Sequence, residues 1–257
     1  MDTNENTLSE TTMTRRGSLV RLAGLAATAI GGSFLEAGAA GAGPAAVASG
    51  AVTCVLTPEL TEGPYYIANE KVRRDITEGR PGRSLTLRTT VVSASNCKPI
   101  KGAAVDIWHC DAGGLYSGYT SGAGAGGGPG GPPGGGPGGH QAPTDTGTFM
   151  RGIQRTDSNG LAVFQTIYPG WYQGRAVHIH VKVHIAGSVV HTGQFFFPDA
   201  TSDAVYRIAP YAARGTRDKR NADDSIYVNG GSKGLLKVTK TTGGGYVGAI
   251  TMGVHTS

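Results

Sequence analysis

The sequence predicts an all-β fold, a β-sandwich core with long loops and little helix. Three observations carry this. Seven or more short segments alternate apolar and polar residues with the period of two that a half-buried strand requires. Turn signals such as Pro81-Gly82, Asn159-Gly160 and Pro169-Gly170 separate them. No long amphipathic helix and no internal repeat interrupts the series.

The first residues stand apart. Thr14-Arg15-Arg16-Gly17-Ser18-Leu19-Val20-Arg21 resembles a twin-arginine export signal, followed by an Ala/Gly-rich run from Leu22 to Leu35 that is too short and too weakly apolar to span a membrane. Several Ala-x-Ala options lie between Ala37 and Ala48, so cleavage is expected between Ala40 and Gly50. Residues 1–48 are thus expected to be signal and linker, and residues 49–257 one domain, secreted by the twin-arginine route without stable membrane insertion. That route carries proteins already folded, which suits a cofactor loaded inside the cell. A cytosolic disordered leader is the alternative.

The 257 residues carry a net charge of +5, and removal of residues 1–43 raises it by one. The basic residues are scattered except for a short cluster from Arg214 to Arg220, with no basic helix or aromatic-interleaved stripe, which argues against nucleic acid as a partner. A positive surface favours anionic aromatic acids or acidic polymers only weakly. Export makes a disulfide compatible with the three cysteines Cys54, Cys97 and Cys110. Cys54 with Cys97 is preferred, because Cys110 ends a strand that leads to the candidate site; the other pairings stay open.

Thr57 to Tyr66 is an extended, turn-rich lead-in, and Gly79-Arg80-Pro81-Gly82 is a turn. Leu85 to Ala94 alternates as a strand, with Leu85, Leu87, Thr89 and Val91 on one side, and Ala103 to Cys110 is another. Asp111 to Tyr119 is a tight Gly-rich loop presenting Tyr116 at the strand's end; a tyrosine there is ordinarily just an exposed aromatic. Ser121 to Gly139 is nearly all Gly, Ala and Pro and has too little apolar surface to fold, so a flexible loop over 121–142 is expected to interrupt one domain. Phe149 to Gly152 leads into a turn at Thr156 to Gly160 and a strand from Leu161 to Ile167. Val189 to Phe196 is a strand carrying Gln194. Ser202-Asp203 is suited to cap a short helix ending near Pro210. Leu235 to Thr241 and Tyr246 to Met252 close the series as strands.

The stretch from Tyr168 to His184 is the most informative. Val177 to His184 alternates strictly, so His178 and His180 project from one face of a strand, as two imidazoles on one metal ion must. His184 shares the face but lies about 13 Å from His180, beyond the same metal shell. The Pro169-Gly170 turn delivers Tyr172 and Arg175 beside the pair. A strand His-x-His by itself stands evenly between metal binding and solvated histidines. Cupin-type sites also use it, with a Glu a few residues downstream, but Val183, His184 and Ile185 occupy those places here. A zinc or copper hydrolase built on the pair is a further reading.

Taken together, Asp106-Ile-Trp-His-Cys-Asp-Ala-Gly-Gly-Leu-Tyr116-Ser, Thr166-Ile-Tyr-Pro-Gly-Trp-Tyr172 and Arg175-Ala-Val-His178-Ile-His180 resemble the intradiol ring-cleavage dioxygenases, and more closely their exported branch in actinobacteria and fungi. The resemblance covers about residues 54 to 230. It implies a β-sandwich holding one non-haem Fe(III) on two tyrosines and two histidines. Tyr116 matches the equatorial tyrosine, Tyr172 the axial one that substrate displaces, and His178 and His180 the imidazole pair. Arg175 and Gln194 match groups that assist substrate and intermediate; Pro64 and Tyr65 resemble residues lining the pocket mouth. The implied reactants are O2 and a small catechol of the catechol, protocatechuate or hydroxyquinol type. The ring would open between the hydroxyl-bearing carbons to a cis,cis-muconate type diacid, outside the cell on lignin-derived aromatics. A monomer or homodimer is expected, since sandwiches with exposed edge strands often pair.

Two departures from the family pattern stand out. The segment between Tyr172 and His178 is shorter than in the intracellular enzymes, so the pocket wall there differs, and the Gly/Pro tract after Tyr119 is unusual. The donor types suit the implied metal. A phenol has an unperturbed pKa of about 10, and a trivalent cation keeps it ionised; two phenolates are hard donors that favour ferric iron over ferrous iron or zinc. A reading from another class is a non-catalytic, transthyretin-like sandwich that binds without turnover.

Overall fold

The alternating segments become strands where the period-two pattern places them. The computed structural model describes residues 56–120 and 141–256. The strands are β1 (Ser84–Ser93), β2 (Ala104–Trp108), β3 (Arg151–Arg155), β4 (Leu161–Ile167), β5 (His178–Ile185), β6 (Ser188–Phe196), β7 (Lys237–Lys240) and β8 (Tyr246–Val254). Two short helices, α1 (Asp199–Val205) and α2 (Ser225–Val228), and three 3-10 turns lie between β6 and β7. The strands form two four-stranded sheets in the orders β4-β1-β8-β7 and β3-β2-β5-β6, the expected sandwich.

Between the sheets, Leu85, Leu87 and Val91 of β1, Phe164 of β4 and Met252 of β8 meet Val105 and Ile107 of β2, Ile179, Val181 and Val183 of β5 and Phe195 of β6, all buried. Each such side chain contributes roughly 1.5–3 kcal/mol on burial, so this layer dominates the stability. β1 pairs antiparallel with β4 and parallel with β8, and β5 runs antiparallel between β2 and β6.

Three local expectations change. The strand bearing the histidines is buried on both faces rather than half-buried: Ile179, Val181 and Val183 face the core, while His178, His180 and Lys182 lie beneath loops. Those loops bring an aromatic layer of their own, Tyr65, Tyr66, Trp108, Tyr116, Tyr119 and Tyr172, which packs as a second cluster. A register shift between Val183 and His184 ends the regular alternation before His184. The helix begins at Asp199, not at Ser202: Pro198 precedes it with φ −59°, Asp199 supplies a charge favourable to its first turn, and Ser202 bonds the Tyr168 hydroxyl at 2.8 Å instead of capping.

Strand β3 was not expected, because Arg-Gly-Ile-Gln-Arg has little strand propensity; pairing with β2 holds it, with Trp108 opposite Arg151. Cys97 is disulfide-bonded and Cys110 is a free, buried thiol, while Cys54 lies outside the described residues. The export-signal segment and the Gly/Pro tract from Ser121 to Gly139 also lie outside them. Among the described residues, no helix is long and apolar enough to cross a membrane.

Candidate metal centre

Two loops and one strand build the site on the outer face of β5. The loop after β2 is organised by Asp111, whose Oδ1 accepts the backbone N–H groups of Gly113 at 2.8 Å and Leu115 at 3.0 Å. The Tyr168–Tyr172 segment lies directly on that loop. A Cβ at Gly170 would sit 2.5 Å from the Asp111 carbonyl oxygen and 2.6 Å from that of Ala112, so only glycine permits the approach. This contact brings the Tyr172 ring edge-on to Tyr116, with centroids 5.8 Å apart.

The donors converge. Tyr172 Oη lies 3.0 Å from His178 Nε2, which lies 3.0 Å from His180 Nε2. His178 Nδ1 donates to the Ala176 carbonyl at 2.7 Å; since a carbonyl only accepts, the proton sits on Nδ1 and the Nε2 lone pair faces the shared point. Trp108 stacks flat on His180, and Tyr116 meets it edge-on with centroids 6.0 Å apart. The Tyr116 hydroxyl is buried without a hydrogen-bond partner, and after burial the nearby Tyr172 phenol raises its pKa further. Tyr116, Tyr172, His178 and His180 are all buried.

Burial sets the protonation states. It pushes the phenols of Tyr116 and Tyr172 up, with Arg175 opposing the shift at both, and pushes the imidazoles of His178 and His180 well down. Four neutral donors thus crowd around one point, with one phenol oxygen left unpaired. A buried unpaired hydroxyl is costly, and a cation at that point would satisfy it while reversing the penalty on both phenolates. The residues therefore fit a metal ion, and two phenolates select a hard, trivalent one. Among the described residues, no group of three or more His, Cys, Asp or Glu side chains gathers to hold a metal, so an ion held at this point would need the phenols.

The supporting residues fall into place around it. Arg175 donates through Nη2 to Gln194 Oε1 at 2.6 Å and pairs through Nε with Asp224 at 2.9 Å; Gln194 stands opposite His180 on β6 and donates to the Thr61 carbonyl at 2.9 Å. Tyr65 stacks on Tyr116 with centroids 4.7 Å apart. Pro64 is exposed and contributes its carbonyl, which accepts from the Gln141 N–H at 3.2 Å.

Three residues escaped the sequence reading. Trp108 shares the outer face with His180, which stands opposite it on β5, and its alternation with Asp106 was the available signal. Gly63, at φ +76°, lies over the His180 ring, where a Cβ would come within 3.0 Å of Cε1. Asp224, directly before Ser225-Ile226, carried a helix-cap signal but nothing pointing to Arg175.

A two-sheet sandwich with a buried phenol–imidazole pocket on the outer face of one sheet defines the class of protein, and the comparisons with known proteins agree. The solved intradiol ring-cleavage dioxygenase from Tetranychus urticae is 34% identical, with 79% of this chain and 95% of that one covered at a TM-score of 0.71. The dioxygenase domain of a dioxygenase carbohydrate-binding protein fusion from Streptomyces sp. SirexAA-E is 27% identical, with 79% and 99% covered at a TM-score of 0.55. Catechol 1,2-dioxygenase 1 of Acinetobacter lwoffii is 28% identical over 123 residues, 45% of this chain; the match spans only 32% of that protein's length. A scan against models of protein families finds no match. The chain belongs to the intradiol ring-cleavage dioxygenase family.

Proposed function

We propose that the protein is a non-haem Fe(III) dioxygenase that opens catecholic rings between the two hydroxyl-bearing carbons with O2, giving cis,cis-muconate type diacids. The observation that carries this is the convergence of Tyr172 Oη, His178 Nε2 and His180 Nε2 at 3.0 Å spacings beside the unpaired Tyr116 hydroxyl. Tyr116, Tyr172, His178 and His180 would hold the ion, which supplies Lewis-acid and one-electron chemistry toward a bound catecholate.

The chain's own residues then have distinct tasks. A Tyr172 phenolate would take up the proton of one catechol hydroxyl; burial favours the neutral phenol, so the proton is retained there. His178 keeps its proton on Nδ1 against Ala176, leaving Nε2 available throughout. Arg175, held by Gln194 and Asp224, stabilises negative charge that develops on the ring. Trp108 and the Gly63 backbone cover His180, Tyr65 covers Tyr116, and together they keep water from the site. We further propose export by the twin-arginine route and action outside the cell on lignin-derived aromatics; Arg15-Arg16 and the disulfide at Cys97 support this.

The test is purification with iron, followed by visible spectroscopy and oxygen uptake across a panel of catechols with product spectra. The expected protein is red to burgundy from ferric tyrosinate, consumes catechol, and loses both properties in His180→Ala. Retained iron, colour and turnover in that variant would overturn the ligand assignment. A colourless protein that leaves every catechol intact would return the molecule to a sandwich binding module.

A further inference from the structure

We propose that Asp224 is a positioning residue, which fixes Arg175 and His178 together through one carboxylate oxygen. Asp224 is 2% exposed, and both its oxygens are used. Oδ1 accepts the N–H groups of Ile226 at 2.8 Å and Tyr227 at 3.3 Å and so caps α2. Oδ2 does something a cap does not need: it accepts Arg175 Nε at 2.9 Å and the Ala176 N–H at 2.8 Å.

Each contact on Oδ2 leads into the site. Ala176, itself buried, is held at its nitrogen by Asp224, and its carbonyl accepts the His178 Nδ1–H at 2.7 Å. That last bond selects the tautomer whose Nε2 faces Tyr172 and His180. The other branch runs from Arg175 to Gln194 and on to the Thr61 carbonyl, which ties down the segment leading to Gly63. On the far side, Tyr227 packs edge-on against Phe196, which packs against the His178 ring, so α2 reaches the same imidazole by a second path. Charge-assisted bonds of this kind are short and directional, and a buried carboxylate without its donors would be strongly disfavoured.

The two oxygens make the idea separable from simple helix capping. Serine is as good a cap as aspartate but has a single oxygen, so Asp224→Ser retains the cap and removes the Oδ2 contacts. The proposal rests on the dioxygenase reading for its catalytic arm only. In the iron-loaded protein, Asp224→Ser is expected to lower kcat about 10–100-fold, the range typical of groups that orient metal ligands, with KM changed less, and to shift the ferric tyrosinate band. In the iron-free protein, nitrogen NMR is expected to show His178 passing from a single Nδ1–H tautomer to a mixture, and the Arg175 Nε–H exchanging faster. Wild-type kcat, an unmoved band and an unchanged tautomer in Asp224→Ser would overturn the proposal. If the wild type neither binds iron nor consumes catechol, the dioxygenase reading fails, and the tautomer and exchange measurements alone decide the role of Asp224. Should Asp224→Ser not fold, Asp224→Asn preserves the volume and the cap oxygen and is read the same way.

Discussion

The indole of Trp108 lies flat on the imidazole of His180, with ring centroids 4.9 Å apart and planes 7° from parallel. The stack leaves His180 little freedom to rotate away from His178. Trp108 Nε1 is buried without a hydrogen-bond partner, so the ring's surface rather than its polar group does the orienting. Trp108→Phe is therefore expected to keep most of the iron content, because no hydrogen bond is lost. Trp108→Ala is expected to cost about 3–5 kcal/mol and to lose iron during gel filtration. Chemical denaturation with iron analysis of both variants checks this.

Gly63→Ala is expected to damage the site without touching a ligand. The backbone at φ +76° disfavours any side chain, and the new methyl would press on His180 Cε1. The strain is about 1–3 kcal/mol, seen as a lower denaturation midpoint. Iron occupancy in the same preparation should fall with it.

Tyr172→Phe separates function from stability. The ring keeps its edge contacts with Tyr116 and His178, and the folded protein loses one hydrogen bond, about 0.5–1.5 kcal/mol. Catechol turnover is expected to fall about 100-fold or more through loss of the proton acceptor, which oxygen-electrode assays would register against a nearly unchanged thermal midpoint.

Acid should destabilise the protein in a defined window. His109 is fully enclosed, bonded to the Cys110 carbonyl and to Thr166 at 2.8 Å each, and burial pushes its pKa down to about 4. Because the folded value is depressed, its contribution is complete above the ordinary histidine value of 6.5 and is lost as pH falls toward 4. The loss is on the order of 3 kcal/mol, and His178 and His180 shift the same way. Asp106 opposes them: burial raises its carboxyl to about 7, so its own contribution weakens as pH rises to that value. Four buried histidines, His191 included, shift down against two raised carboxyls, Asp106 and Glu70, and urea titrations of iron-free protein at pH 6.5 and 4.5 should show the net decline.

The charge around Arg175 bears on substrate choice. Asp224 balances the charge of its guanidinium, so Arg175 offers oriented N–H groups to charge developing on the ring rather than net positive charge to a substrate carboxylate. Catechol is expected to show a higher kcat/KM than protocatechuate, and comparable values would contradict this.

Much of this was legible in the chain itself. The period of two exposed β1, β4, β5 and β6 because their apolar residues meet a single core, and turn residues marked their ends. Motif order also singled out Tyr116, Tyr172, His178 and His180, whose side chains the fold buries together. Arg151 was not: it is buried at 1% exposure and donates to Ser117, an arrangement no hydropathy pattern announces. Burial of the outer face of β5 also escaped the sequence, since irregular loops from distant parts of the chain provide it. The link from Asp224 to Arg175 spans 49 residues and depends on tertiary placement alone.

The parallel pairing of β1 with β8 separates the two sheets in time as well as in space. Every strand beneath the histidines comes from residues 104–196, whereas the opposite sheet joins Ser84–Ser93 to Tyr246–Val254. Pairings so distant in sequence are slow to form. During synthesis the layer that carries the donors can therefore associate while its partner still waits for the strand that completes it.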